Sequence, residues 1–131
     1  MNKVVIGLGS NIDPQKNIRK AKESLAQRFR ILAETPLLTT KPIGYQHQAD
    51  FLNGSVLIET DLTLKGLKTV LKNIEKSLGR QKNIIKFAPR TIDLDILVFN
   101  GKIIHQDFYA REFIREDVLQ LLPDLKYKSK F

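Results

Sequence analysis

The chain has 131 residues, a formal net charge of +8 at pH 7 and no cysteine. This length allows one hydrophobic core, so we expect residues 1–131 to form a single domain. The lack of cysteine excludes a disulfide framework, a thiolate nucleophile and a zinc–thiolate site, and it fits a cytoplasmic protein. The first residues form too short an apolar run for a signal peptide, and nowhere do eighteen apolar residues run together, so we expect a soluble protein without a membrane-spanning segment. The charge predicts an anionic partner: nucleic acid, a membrane surface or a phosphorylated small molecule.

The predicted elements follow the order βαββαβ. Val4, Val5 and Ile6 favour a first strand, and apolar residues spaced by three and four indicate two amphipathic helices. The strands are expected at residues 3–8, 30–40, 51–60 and 91–99, the helices after Asp13 and after Asp61, and a short C-terminal helix at 116–122. Asn100-Gly101 indicates a tight turn into a short strand at 102–105. This order is typical of an α+β, ferredoxin-like sandwich with two helices on one face of an antiparallel sheet, which would leave the opposite face free to bind a ligand.

Positive charge is concentrated between residues 65 and 90. This stretch contains eight lysines and arginines and only one acidic residue, Glu75. The lysines of the second helix are explained equally well as its solvated side. The segment 80–89 has no periodicity and is predicted to be a functional loop.

Asp93 and Asp95 stand in an otherwise apolar strand. Because strand side chains alternate between faces, both carboxylates should point one way, with Ile92, Leu94, Ile96 and Val98 pointing into a core. Two carboxylates at this distance repel each other, and Mg²⁺ with phosphate oxygens in its remaining positions would offset the repulsion. For an Asp-x-Asp pair taken alone, the solvated face of a half-exposed strand is the alternative.

Common catalytic motifs are absent. Ile12 stands where a dinucleotide fingerprint starting at Gly7-x-Gly9 needs its third glycine, and no P-loop sequence occurs. His47 and His105, each taken singly, are explained as structural or surface residues.

Five segments, taken together, resemble the 6-hydroxymethyl-7,8-dihydropterin pyrophosphokinase family of folate biosynthesis. They follow in family order and spacing from residue 4 to about 104. The segments are Gly7-Leu8-Gly9-Ser10-Asn11, Lys41-Pro42-Ile43-Gly44, Asp50-Phe51-Leu52-Asn53-Gly54, Ile74-Glu75-x-x-Leu78-Gly79-Arg80 and Pro89-Arg90-Thr91-Ile92-Asp93-Leu94-Asp95.

The resemblance implies an enzyme that transfers pyrophosphate from ATP to the hydroxymethyl group of the pterin and releases AMP, with small-molecule substrates and no nucleic-acid or membrane partner, acting as a monomer. Asp93 and Asp95 would hold two Mg²⁺ ions, and the catalytic residues would be these two with Arg80 and Arg90. The ATP-binding residues would be Glu75, Arg80, Lys82, Arg90, Ile96, His105 and Arg111. For Glu75 a structural role in the second helix remains open.

By the same resemblance, the pterin would bind between two aromatic rings beside an amide. Phe51 and Phe113 match the stacking aromatics, and Asn53 matches the amide. Thr40, Ile43 and Gly44 would complete the wall. Ordinary core packing is the alternative for the two phenylalanines.

The chain departs from the family pattern after the fourth strand, where the segment leading to Arg111-x-Phe113 is shortened. Counting back from Arg111 places His105 on the ATP-contacting histidine, but no proline precedes it, and it could be an unrelated turn residue. Two rival functions remain: a basic ferredoxin-like module that binds RNA on its open sheet, and a shortened relative that binds pterin without turnover.

Overall fold

The computed structural model describes residues 1–44, 47–79 and 91–128. Within them the protein has an α+β fold, with one open antiparallel sheet and four helices. The strands are β1 Asn2–Ser10, β2 Arg30–Glu34, β3 Leu38–Thr40, β4 Phe51–Thr60, β5 Asp93–Phe99 and β6 Lys102–Ile103. The helices are α1 Pro14–Arg28, α2 Leu64–Ser77, α3 Asp107–Ala110 and α4 Glu112–Leu121. No helix in these ranges is both long and apolar enough to cross a membrane.

The sheet is built around β1, as its sequence predicted. The strand order is β2-β4-β1-β5-β6, β3 also pairs with β4, and every pairing is antiparallel. Val4, Val5 and Ile6 have no exposed surface, because β1 is central in the sheet and is covered on both faces. The predicted Asn100-Gly101 turn is confirmed: both residues have positive φ, at 52° and 83°, which a two-residue hairpin of this type requires.

The first face of the sheet is covered by α1 and α2, as predicted. Their apolar stripes pack on alternate residues of β1, β4 and β5 in one buried cluster, which includes Ile18, Leu25, Leu67, Leu71, Ile6, Ile58 and Leu94. Thr63 caps α2 by accepting a hydrogen bond from Gly66 N at 3.1 Å, and Gly79 follows the helix with φ 88°.

The second face was expected to be free, and this was wrong. The helices α3 and α4 cover part of it, burying Phe108 and Val118 completely against Val5, Leu57 and Leu97. The C-terminal helix also begins at Glu112 and not at residue 116, after an additional short helix, α3. Residues 107–115 mix polar and apolar side chains without strict alternation, and Phe108, Tyr109 and Ile114 pack on the sheet in the second-face cluster.

Two details of the strands also differ from expectation. The predicted strand at 30–40 is divided into β2 and β3, because Pro36 lies between them and has no N–H to donate to a ladder. Val98 was expected in the same core as Ile96. It lies instead in the second cluster, because Val5 pairs with Val98 while Ile6 pairs with Ile96, which leaves Leu97 as an extra residue in a β-bulge.

Candidate active site

Two rows of residues cross three strands at one end of the second face. Asn53 of β4 pairs with Gly9 of β1, and Gly9 pairs with Asp93 of β5. In the next row Gly7 lies between Ser55 and Asp95. Neighbouring strands are about 4.8 Å apart, so each polar side chain stands roughly 10 Å from its aspartate across a glycine. We call the space above Gly7 and Gly9 the glycine trough.

The two glycines make room for side chains of the neighbouring strands. A Cβ atom at position 9 would lie 3.1 Å from Asn53 Oδ1, and one at position 7 would lie 3.1 Å from Leu97 Cδ1. Both distances are shorter than ordinary van der Waals contact. Glycine is therefore needed at position 9 for the Asn53 amide to keep its present orientation.

Asp93 and Asp95 share the second face because Ile92, Leu94 and Ile96 fill the core of the first face. The pKa of Asp95 is raised from its usual value of 3.8 to about 7. Partial burial is the largest cause, the neighbouring Asp93 carboxylate is the next, and His105 acts in the opposite direction. The pair is thus costly to keep ionised, and a bound cation would reverse that cost.

His105 lies beside one of the aspartates, and its contact with ATP stays a prediction. Its Nε2 lies 3.9 Å from Asp95 Oδ1. Its Nδ1 accepts a hydrogen bond from the backbone N–H of Asp107 at 3.1 Å, so in the neutral ring the proton is on Nε2 and faces Asp95. The turn that begins α3 therefore orients the imidazole. His105 thus lies in a turn, which the sequence analysis gave as the alternative, and it also lies beside Asp95.

Glu75 is 7% exposed and lies at the C-terminal end of α2. Its Oε2 accepts a hydrogen bond from Leu94 N at 2.8 Å, between the two aspartates along β5. This contact supports the structural alternative for Glu75, because it joins α2 to the aspartate strand. Contact with ATP stays a prediction.

Across the trough from the aspartates lie three of the residues expected around the pterin, Asn53, Thr40 and Phe51. Asn53 Nδ2 donates to Thr40 Oγ1 at 2.6 Å, and Thr40 pairs with the half-buried Phe51. On α4, the Arg111 guanidinium lies 4.5 Å above the Phe113 ring centroid, a cation–π contact. Burial lowers the pKa of Arg111, and Asp107 and Asp95 partly offset this shift.

The remaining predicted site residues are distributed differently. Arg80, Lys82 and Arg90 lie outside the described residues, as does the predicted loop 80–89. Ile96 is 6% exposed within the first-face core, while Ile43 is 47% exposed and Gly44 has φ 79°. The roles assigned to these residues stay predictions.

Some residues at this end of the sheet were not singled out from the sequence. Leu38, 49% exposed, pairs with Asn53, and Asp107 orients His105. Had the break at Pro36 been recognised in the sequence, the pairing of β3 with β4 would have placed Leu38 beside Asn53. Ser10 Oγ donates to Thr91 O at 2.6 Å, and Asn11 Nδ2 donates to Gln48 Oε1 at 2.6 Å, so the end of β1 is joined to the segment before β5 and to the loop before β4.

Comparison with known proteins agrees with this arrangement. The sequence profile of the family described as 7,8-dihydro-6-hydroxymethylpterin-pyrophosphokinase (HPPK) matches residues 5–123. The chain belongs to this family.

Three relatives are named 2-amino-4-hydroxy-6-hydroxymethyldihydropteridine pyrophosphokinase. The protein of Campylobacter jejuni is 40% identical over 104 residues, covering 76% of this chain and 64% of its own length. That of Pseudomonas aeruginosa is 31% identical, covering 96% and 84%. That of Bacillus subtilis is 37% identical, covering 98% and 84%. The chain thus spans less than two thirds of the length of the Campylobacter protein, and more than two thirds of the length of each of the other two.

The raised pKa of Asp95 predicts a pH-dependent effect of Asp95→Asn on stability. Because the folded-state pKa exceeds the unfolded value, the contribution of this carboxyl group is fully present below about pH 4 and is lost as pH rises through about 7. Asp95→Asn should therefore have a higher free energy of unfolding than the wild type at pH 8. At pH 4 the two proteins should have the same free energy of unfolding. The side chain is 37% exposed, so solvent screening limits the gain to about 1–2 kcal/mol.

Urea denaturation between pH 4 and 8, without divalent cations, measures this difference. Asp61→Asn, at an exposed position beyond the far end of β4, removes the same charge and serves as the control. A gain for Asp95→Asn that is equal at pH 4 and pH 8 would contradict the burial and repulsion described here.

Proposed function

We propose that this protein transfers pyrophosphate from ATP to the hydroxymethyl oxygen of 6-hydroxymethyl-7,8-dihydropterin and releases AMP. The main support is one geometric observation: the Asn53 amide and the Asp93/Asp95 carboxylates share a face and flank the glycine trough. An amide suits a ring edge that carries donors and acceptors, and carboxylates suit the cations that accompany nucleotide phosphates. The family membership of residues 5–123 supports the same reaction.

The pterin would lie over the trough. Thr40 accepts one Nδ2 hydrogen of Asn53, which leaves Oδ1 and the second N–H to hydrogen-bond the ring edge. Phe51 at the strand end and Phe113 on α4 would supply the two stacking surfaces, with Ile43 and Gly44 in the adjoining wall. Holding the ring in one orientation would fix the hydroxymethyl oxygen relative to the phosphates.

The aspartates fit Mg²⁺ on their chemistry. Carboxylate oxygens are the ligands that Mg²⁺ prefers, and a cation would offset the burial and the Asp93 repulsion that together raise the pKa of Asp95. Over the residues that the structure describes, no three His, Cys, Asp or Glu side chains gather around a common metal position. We propose that Asp93 and Asp95 hold two ions whose other ligands are phosphate oxygens and water. Bound there, the ions would neutralise phosphate charge and lower the pKa of the alcohol.

The remaining charge would come from residues beside the described elements. Arg80 directly follows Gly79 at the end of α2, and Arg90 directly precedes Thr91 before the aspartate strand. We propose that both brace the phosphates in bidentate fashion and that Lys82 adds a point charge. Glu75, Ile96, His105 and Arg111 complete the proposed ATP-binding set, in which His105 and Arg111 are the members placed beside Asp95.

Several finer features belong to the same proposal. The strand order supports a ferredoxin-like sandwich, because the two βαβ halves interleave around β1. We further propose a single pyrophosphokinase domain, shortened after β5, that acts as a monomer in the cytoplasm. The partial cover of the second face by α3 and α4 disfavours an RNA-binding module that uses an open sheet.

Activity can be tested directly with purified protein. We expect conversion of 6-hydroxymethyl-7,8-dihydropterin and ATP to the pyrophosphorylated pterin and AMP, dependent on Mg²⁺. Chromatography of the nucleotide products measures it. Release of ADP would contradict the proposed reaction, and tight pterin binding without any nucleotide product would favour the relative without turnover.

Asp93→Asn and Asp95→Asn should each lower kcat by about 10²-fold or more, because each removes a charged ligand and keeps the side-chain volume. Asp61→Asn should keep the activity of the wild type. Near-normal turnover of either site variant at saturating Mg²⁺ would contradict the assignment of the metal ligands.

Asn53→Ala should weaken pterin binding by about 1–3 kcal/mol and leave nucleotide binding almost unchanged, because polar ring atoms would be buried without partners. Calorimetry with the pterin and with a non-hydrolysable ATP analogue, each alone, separates the two effects. Asn73→Ala, at an exposed position on α2, is the matched control. Equal losses for both ligands would indicate a general structural defect.

A further inference from the structure

The helix α4 carries a carboxylate into an otherwise apolar interface with the sheet. Val118 is completely buried and Ile114 and Leu121 pack against the second-face cluster, while Ser55 Oγ donates to Asp117 Oδ2 at 3.3 Å. The Thr35 hydroxyl also acts to lower the pKa of this carboxyl group, while Thr35 Oγ1 donates to Ser55 O at 3.4 Å. Ser55 and Thr35 are only 2% and 3% exposed. This group, Asp117 with Ser55 and Thr35, is here called the α4 bridge.

A polar contact of this kind determines position more than stability. Apolar contacts are not directional, so a helix held by them alone can slide or rotate on a sheet at little cost. A hydrogen bond has a preferred distance and angle, and a buried polar group in an apolar interface is best attested as a means of setting register. The sheet side of the bridge is itself fixed, because Ser55 N donates to Thr35 Oγ1 at 2.9 Å and Thr35 N donates to Ser55 O at 2.9 Å.

The register of α4 matters because of what lies one turn before Asp117. Phe113 precedes it by four residues, on the same side of the helix and about 6 Å along its axis. On the sheet, Asn53 precedes Ser55 by two residues, on the same face and about 6.6 Å along the strand. The bridge thus connects the element that carries Phe113 and Arg111 to the strand that carries Asn53, one step away from each.

We propose that Asp117 is a positioning residue for pterin binding: through Ser55 and Thr35 it holds α4 in the register that keeps Phe113, with Arg111 stacked on it, over the glycine trough. The inference rests on the proposed function. It assigns Asp117 no contact with either substrate.

The charge of Asp117 is not what the bridge requires. Burial raises the pKa of this carboxyl group, with Glu116 adding to the shift and the Ser55 and Thr35 hydroxyls opposing it. An uncharged acceptor of the same shape would accept the Ser55 hydrogen bond without the desolvation cost. Asp117→Asn should therefore preserve pterin binding and be at least as stable as the wild type at pH 8.

The experiment compares three proteins with the wild type by steady-state kinetics, with 6-hydroxymethyl-7,8-dihydropterin and ATP varied separately. The double variant Ser55→Ala/Asp117→Leu removes both polar groups and keeps the interface apolar, so it should remain folded. It should raise KM for the pterin by about 10-fold or more, while KM for ATP changes less than about twofold. Asp117→Asn and the exposed neighbour variant Glu116→Gln should both match the wild type.

Unfolding midpoints measured on the same proteins separate positioning from stability. A double variant that is as stable as the wild type but weak for the pterin alone supports the proposal, as does rescue by Asn. If the double variant does not fold, Ser55→Ala alone should show a smaller rise in pterin KM, and an unchanged value there overturns the proposal. Equal losses for pterin and ATP also overturn it. A wild type that does not use the pterin overturns the proposed function itself, whereas an active wild type with an unaffected double variant overturns this inference alone.

Discussion

The arrangement of the site depends on the two-residue period of β5. Burial of Ile92, Leu94 and Ile96 on the first face forces Asp93 and Asp95 together on the second. Each fully buried aliphatic side chain stabilises the fold by about 1.5–3 kcal/mol, so the core outweighs the repulsion of one carboxylate pair. Partial burial and this repulsion both raise the pKa of Asp95. Core packing therefore maintains the unfavourable arrangement that a cation would relieve.

Local sequence patterns predicted most of the strands and helices and the shared face of the two aspartates. Alternation placed the aspartates on one face, and the three-and-four spacing of apolar residues located α1 and α2. The Asn100-Gly101 turn and the strand β4 followed from turn chemistry and β propensity, and β4 was predicted with its observed bounds. Such features depend on residues close together in the chain, so a sequence carries them directly. Identifying the pterin residues needed the resemblance to a family, because no period distinguishes Asn53 from any other strand asparagine.

Apart from the strand break at Pro36, the errors share one physical origin, which is contact between distant segments. The bulge at Leu97 turns Val98 to the second face, and it is visible only in the pairing of β5 with β1. The early start of α4 and the formation of α3 depend on packing against the sheet, since Phe108 finds its buried environment there. Pairing across strands likewise creates the two rows in which Asn53 and Ser55 face the aspartates across Gly9 and Gly7.

The second face therefore combines two kinds of packing with different consequences. Its apolar cluster supplies the free energy that holds α3 and α4 on the sheet, while the α4 bridge and the His105–Asp107 turn supply direction. The helices α3 and α4 follow β5 and carry side chains to the second face. Directional contacts are an economical solution, because a single hydrogen bond fixes an angle that several apolar contacts would leave free. Such contacts would let a short C-terminal region orient both an imidazole beside Asp95 and an aromatic ring near Asn53.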